Sequence, residues 1–121
     1  MKYAWLDDYL ISKTGAVKEY KTEWAADRYM LKDKMFCLIG ENNNRRSIVT
    51  LKCEPLFGEA LRKKYADITP GYYMNKIHWN SVYLDGEVPD GVLKEMIDMS
   101  HSLVFASLSK KAQAELRAQN A

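Results

Sequence analysis

The feature that most constrains the fold is a pair of strand-like runs separated by a short polar loop. Residues 35–39 are continuously apolar. In an extended strand over residues 47–53, the apolar side chains of Val49, Leu51 and Cys53 would share one face. The loop between them, residues 40–46, reads GENNNRR and is rich in residues that tolerate turn conformations. This pattern predicts two antiparallel strands joined by a hairpin, with one face of the sheet buried.

Helical and strand patterns flank this hairpin. Apolar side chains at helical spacing predict a first helix over 3–13, a second that opens at Pro55 and a third over 89–108. Further strands are expected at 17–21, at 26–32 and at the end of the extended stretch 72–84, while 109–121 forms a short helix or a frayed tail. In the second helix we expect the stripe Leu56, Phe57, Ala60, Leu61 and Tyr65 to be buried.

The order of these elements predicts one α+β domain over residues 1–121. Hairpin-length connections favour an antiparallel sheet with helices packed on one face. The expected order is α-β(3-4)-α-β(1-2)-α.

Composition and charge restrict the function less than the fold. The chain has 121 residues and a net charge of +2, which is far from the strongly basic balance of most nucleic-acid binders. The first ten residues carry two aspartates where a signal peptide has its apolar core, and no apolar stretch is long enough to span a bilayer. Cys37 and Cys53 lie in apolar runs without zinc-site spacing, so we expect free, buried thiols in a cytoplasmic protein with no membrane contact.

Residues suited to catalysis are scarce. The chain has two histidines, His78 and His101, no glycine-rich phosphate loop and no cluster of metal-ligating spacing. His101 lies one helical turn after Asp98, which is typical of a solvated helical pair. We therefore expect a non-enzymatic protein that needs neither a metal nor another cofactor.

One segment, residues 69–80 (TPGYYMNKIHWN), concentrates aromatic, basic and amide side chains. Such a mixture suits stacking on nucleic-acid bases or anchoring a protein partner. A structural interpretation remains open, in which Tyr72, Tyr73 and Trp79 are half-buried strand residues and the asparagines bond turn backbone.

The run PGYYMNKIHWNSVYLDG resembles the MmcQ/YjbR family, which typically shows PGY-x-MNK-x-HWN followed by V-x-LDG. The similarity extends over roughly residues 3 to 117. It implies a CyaY-like α+β fold that is similar to the double-wing DNA-binding domain of the phage transcription factor MotA. Family members are commonly called DNA-binding proteins on this analogy of fold.

Three positions depart from the family pattern. Glu54 stands where an aspartate is frequent before the proline, and glutamate is a poorer helix N-cap. Ile77 stands where a second lysine is frequent, which removes one positive charge from the candidate surface. His101 replaces a frequent tyrosine of the third helix.

These observations predict a small domain that binds DNA weakly and without sequence preference through the phosphate backbone. Contacts from five cations, including two of the basic run Arg62–Lys64, would give a logarithmic salt slope of roughly −3 to −5. We expect a monomer. The candidate nucleic-acid-binding residues are Arg45, Arg46, Tyr73, Asn75, Lys76, His78, Trp79 and Asn80.

Three alternatives stay open. The first is a protein–protein interaction module resembling secretion chaperones, anchored by Tyr73 or Trp79. The second is iron handling by analogy with frataxin-like folds, for which helix 1 offers only Asp7 and Asp8. The third is an enzyme that uses His78, although no nucleophile or orienting partner is evident in the sequence.

Overall fold

A computed structural model describes residues 2–71 and 74–119, and within these ranges it contains a six-stranded sheet and four α-helices. The helices are α1 (Leu6–Ile11), α2 (Pro55–Lys64), α3 (Asp90–Ala106) and α4 (Lys110–Gln119). The strands are β1 (Val17–Lys21), β2 (Ala26–Leu31), β3 (Lys34–Glu41), β4 (Ser47–Lys52), β5 (Ile68–Pro70) and β6 (Trp79–Tyr83).

The sheet is antiparallel throughout, with the strand order β1-β2-β3-β4-β6-β5. The predicted hairpin is confirmed: Cys37 on β3 lies opposite Leu51 on β4, and Glu41 lies opposite Ser47. The α+β class and the antiparallel sheet are therefore as the sequence predicts.

The two faces of the sheet have different environments. On the face that we call the helix face, Val49 and Leu51 of β4 and Val82 of β6 are fully buried, and α3 adds the buried Leu93 and Met96. The other face, which we call the open face, carries the intervening residues of the same strands. Helix packing on one face of the sheet is thus confirmed.

A β-bulge in β3 adds one buried side chain to the core. Tyr29 pairs with Cys37, but the next residue, Met30, pairs with Met35, so Phe36 is the extra residue of the bulge. Phe36 and Cys37 are both fully buried although they are adjacent in sequence. On α3, Ser100 donates its hydroxyl to the Phe36 carbonyl at 2.5 Å, which fastens the helix to the bulge.

Several predicted boundaries differ from the structure. The first helix is shorter than 3–13, because Tyr3 has a positive φ of 60° and the chain turns before Leu6. Strand β5 was not predicted, since three residues carry no periodic signal, and Pro70 is tolerated because β5 is an edge strand. The tail after residue 109 is a helix, and its Leu116 is buried against Gly15.

The predicted buried stripe of α2 is partly wrong. Leu56 is 81% exposed and Ala60 is also exposed, whereas Gly58 is buried against the sheet. A Cβ atom at Gly58 would lie 2.6 Å from Nδ2 of Asn80 on β6. The helix therefore approaches the sheet through its glycine, and this close approach rotates Leu56 and Ala60 toward solvent.

Cys37 and Cys53 are free and buried, as predicted, and burial raises the pKa of the Cys53 thiol to about 11. Over residues 2–71 and 74–119, no helix has the length and apolarity needed to cross a membrane.

Candidate nucleic-acid interface

Residues 75–78 of the segment 69–80 form a tight turn beside the end of β4. The side-chain oxygen of Asn75 accepts a hydrogen bond from the Ile77 amide at 2.9 Å, and the Asn75 carbonyl accepts one from the Trp79 amide at 2.9 Å. The carbonyl of His78 accepts a hydrogen bond from the Cys53 amide at 2.7 Å. Asn75 therefore shapes the turn, and Lys76 is exposed on it.

Strand β6 divides the next two residues between the faces of the sheet. Trp79 is half-buried and lies directly opposite Lys52 of β4, so both belong to the open face. Of the other predicted contacts, His78 is exposed on the turn, and Tyr73 lies outside the described residues.

Asn80 does not fit its predicted role of contacting nucleic acid. Its side chain is fully buried on the helix face, where its oxygen accepts a hydrogen bond from the guanidinium of Arg62. Its Nδ2 atom points at Gly58. The alternation of β6 turns Asn80 inward when Trp79 faces outward, so Asn80 joins helix α2 to the sheet and is inaccessible to a macromolecular ligand.

The β3–β4 hairpin presents its two arginines differently. Arg46 donates to Asp85 at 2.7 Å, and its guanidinium carbon lies 3.5 Å from the centroid of the Tyr83 ring. This hydrogen bond holds the pKa of Asp85 below its usual range. Arg45 has a φ of 59° and is exposed at the tip. Arg46 is thus partly neutralised, and Arg45 is available.

The candidate residues form two clusters at opposite ends of β4. We call Arg45, Arg46 and Tyr83 the hairpin cluster, and Lys52, Lys76, His78 and Trp79 the turn cluster. Since a strand rises about 3.4 Å per residue, Arg46 and Lys52 lie about 20 Å apart along β4. Tyr83 pairs with Ile48, and both rings, Tyr83 and Trp79, belong to the open face.

The basic run of α2 does not join either cluster. Arg62 is engaged with Asn80, and Lys63 forms an ion pair with Glu59 at 3.1 Å. Lys64 lies 5.5 Å from the ring of Tyr65. These cations stabilise α2 and its neighbours, and we exclude them from the candidate interface.

Sequence reasoning missed three residues of the open face. Lys52 and Tyr83 lie on the open face of their strands, and their position beside the other candidate residues becomes evident only once the pairing of β4 with β6 is known. Trp24, which is 51% exposed, lies on a short 3-10 helix (Thr22–Trp24) that has no sequence pattern of its own.

The prediction that His101 forms a solvated pair with Asp98 is wrong. Its Nε2 donates to the Thr14 carbonyl at 2.8 Å, and its ring packs against Phe36 and Phe105, with centroid distances of 5.3 and 5.6 Å. Burial lowers the pKa of this half-buried imidazole. Across the part of the chain that the structure describes, no three His, Cys, Asp or Glu side chains converge as metal ligands.

The comparisons with known proteins agree with the architecture. The chain is 36% identical to YjbR of Escherichia coli K12 over 93 residues, which covers 77% of this chain and 78% of the relative. It is 34% identical over 91 residues to YbdF of Escherichia coli O157:H7, covering 75% of this chain and 74% of that protein. The names of these relatives state no activity.

Solved structures share the fold. The crystal structure of Deinococcus radiodurans protein DR2400 matches with a TM-score of 0.79 and 28% identity, covering 92% of this chain and 84% of that one. A Pseudomonas syringae protein matches with a TM-score of 0.67 and 28% identity, covering 85% and 98%. The sequence model of the YjbR family matches residues 11–103. The chain belongs to the YjbR family.

Proposed function

We propose that this chain is a non-enzymatic, cytoplasmic domain that binds nucleic acid weakly through the phosphate backbone, on the open face of its sheet. The observation that carries the proposal is a cation beside an aromatic ring at each end of β4. At one end Arg46 lies on Tyr83 and is followed back along the chain by the exposed Arg45, and at the other end Lys52 is paired with Trp79. Cations attract phosphates, and aromatic rings accept bases.

The distribution of ion pairs explains why the binding is expected to be weak. Eight of the described lysines and arginines form an ion pair with a carboxylate, as in the pairs Arg46–Asp85 and Arg28–Glu19. Arg45, Lys52 and Lys76 have no carboxylate partner among the described residues. Three phosphate contacts give a logarithmic salt slope of roughly −2 to −3, shallower than the sequence alone suggests, and affinities on the order of micromolar or weaker.

The test is fluorescence anisotropy of labelled duplex and single-stranded oligonucleotides across a salt series. The double variant Lys52→Ala/Lys76→Ala should flatten the duplex slope by about 2, because each lost phosphate contact contributes about 0.9. The matched control is Lys110→Ala/Lys111→Ala, which removes the same charge from the exposed start of α4 and should leave the slope unchanged. Absence of binding at low salt would refute the proposal.

A non-enzymatic function also has a direct test. His78 is exposed on the turn, and its proposed role is to contact the bound strand. If an activity screen finds a turnover that disappears in His78→Ala while the far-ultraviolet spectrum is unchanged, the non-enzymatic function is wrong.

A protein partner is the second candidate, and exposed apolar residues favour it. Leu56 is 81% exposed and Ile77 is 63% exposed. The Cys53 amide donates a hydrogen bond to the His78 carbonyl, which brings the segment before Leu56 next to the turn that carries Ile77. If oligonucleotides do not bind, we expect a stoichiometric protein partner instead, whose association is lost in Leu56→Ser/Ile77→Ser.

A further inference from the structure

A cavity of about 420 Å³ lies on the open face, on the β2–β4 side of the two clusters. Its volume falls within the range of about 300–1,000 Å³ that is typical of ligand sites. The described residues around it are mostly apolar, with two carboxylates at the edge. They are Trp24, Leu38, Ile48 and Met74, the small Ala26 and Gly40, the polar Thr50, and Glu23 and Glu41.

We infer that this cavity holds one unstacked nucleobase, so that the ligand of the open face is a single strand. The inference rests on the proposed function, because it names the class of nucleic acid that the same face binds. Three properties of the cavity support it: its flat floor, its aromatic wall and its position beside the two clusters.

The floor is flat because two small residues face each other across β2 and β3. A Cβ atom at Gly40 would lie 2.9 Å from the Cβ of Ala26, so no larger side chain fits between the strands at this point. A planar group can therefore approach the sheet closely. Ile48 and Leu38 provide apolar contacts beside this floor.

One wall is formed by Trp24, which is the exposed aromatic ring among the described residues of the cavity. The Nζ atom of Lys21 lies 5.5 Å and the Cζ atom of Arg28 lies 6.0 Å from the centroid of the Trp24 ring. These cation–π contacts hold the ring in place. Half of the side chain remains exposed, which leaves ring surface for a base to stack on.

The position of the cavity matches the path of a phosphate backbone along β4. Ile48 and Thr50 line the cavity, Tyr83 with its Arg46 lies opposite Ile48, and Lys52 follows Thr50 on the same face. Arg45, which has no carboxylate partner among the described residues, thus lies with the hairpin cluster near one end of the cavity and Lys52 near the other, whereas Glu23 and Glu41 at its edge repel phosphates. The phosphodiester chain follows the cations, and only a neutral base enters.

A duplex cannot use this cavity without extra cost. Its bases are paired and stacked, and a base must first be flipped out of the helix before it can enter. A single strand presents its bases without that penalty. The preference for single strands should therefore disappear when the stacking surface is removed.

The experiment compares Trp24→Ala with the unmodified protein at low salt, using an oligonucleotide as a single strand and as a duplex. We expect single-strand affinity to fall by about 5- to 150-fold, the range that one base–aromatic stack gives, while duplex affinity stays unchanged. Trp24→Phe keeps a ring and should retain most of the affinity. The matched control is Tyr20→Ala, which removes an exposed ring of β1 from the helix face and should change neither affinity.

The remaining outcomes separate this inference from the proposed function. Equal affinity for both forms, unchanged in Trp24→Ala, would overturn the base site and leave phosphate binding by the open face intact. Absence of binding to either form would overturn both. A mononucleotide that displaces the labelled single strand completely at equal concentration would overturn the assignment to a strand, since it offers the base without the flanking phosphates.

Discussion

The two faces of the sheet are made by alternating residues of the same strands, yet they differ in side-chain polarity and in access to solvent at the strand ends. On the helix face, Val49 and Leu51 of β4 are fully buried under helices. On the open face, Thr50 is also buried, but it hydrogen-bonds Ser81 at 2.8 Å, and Lys52 at the strand end reaches solvent. Alternation along β4 thus separates the packed core from the proposed binding surface, and substitutions on the two faces should therefore act on different measurements.

The largest expected difference between the faces is in thiol reactivity. Cys37 and Cys53 belong to the helix face and react with a thiol reagent only when the core opens, whereas Lys52→Cys would place a thiol on the open face. Since opening a core costs at least about 5 kcal/mol, the native thiols should react about 1,000-fold or more slowly than the introduced one. Stopped-flow labelling measures both rates, and rapid stoichiometric labelling of the unmodified protein would contradict the burial of its thiols.

Truncation of leucines on β3 and β4 sharpens the comparison in free energy. Leu51 is fully buried on the helix face, so Leu51→Ala should lower the free energy of unfolding by about 2–5 kcal/mol. Leu38 is half-buried on the open face, so Leu38→Ala should cost about 1 kcal/mol. Urea denaturation measures both. Equal losses would mean that the open face is as tightly packed as the helix face.

Two glycine substitutions test the close approach of α2. Gly58→Ala places a Cβ atom 2.6 Å from the buried Asn80 side chain and should destabilise the protein by about 1–3 kcal/mol. Gly91→Ala, near the start of α3, has no atom within 4 Å and should stabilise it by about 0.5 kcal/mol. Thermal unfolding of both variants gives the comparison. A neutral Gly58→Ala would show that Asn80 can move.

The smallest expected effect is a pH dependence that comes from the helix face. Burial lowers the pKa of His101 below its unfolded value of about 6.5, so the unfolded chain binds more protons as the pH falls. The stabilisation from the neutral imidazole is therefore complete above pH 6.5 and is lost progressively below it. His101→Gln should lower stability overall and flatten the curve of unfolding free energy against pH between 7 and 5. An unchanged curve would assign the dependence to other groups.

Local patterns predicted most elements because they depend on residues close in sequence. The strand at Val17–Lys21 and the helix that opens at Pro55 follow from periodicity and turn residues within a few positions. The same reasoning missed Ile68–Pro70, which is too short to show a period and exists only because β6 pairs with it. The candidate site was less predictable than the fold, since its residues come from several elements.

The sequence by itself determined the hairpin, the helices and the concentration of aromatic and basic groups between residues 69 and 80, because each depends on local backbone preferences and apolar spacing. Only the tertiary structure decided which of these groups face solvent. Arg46 donates a hydrogen bond to Asp85, which lies 39 positions further along the chain, and Arg62 donates one to Asn80. Lys52, opposite Trp79, has no carboxylate partner in the described part of the chain. The physical reason is that charge neutralisation and strand register are set by long-range partners, which a single sequence does not reveal.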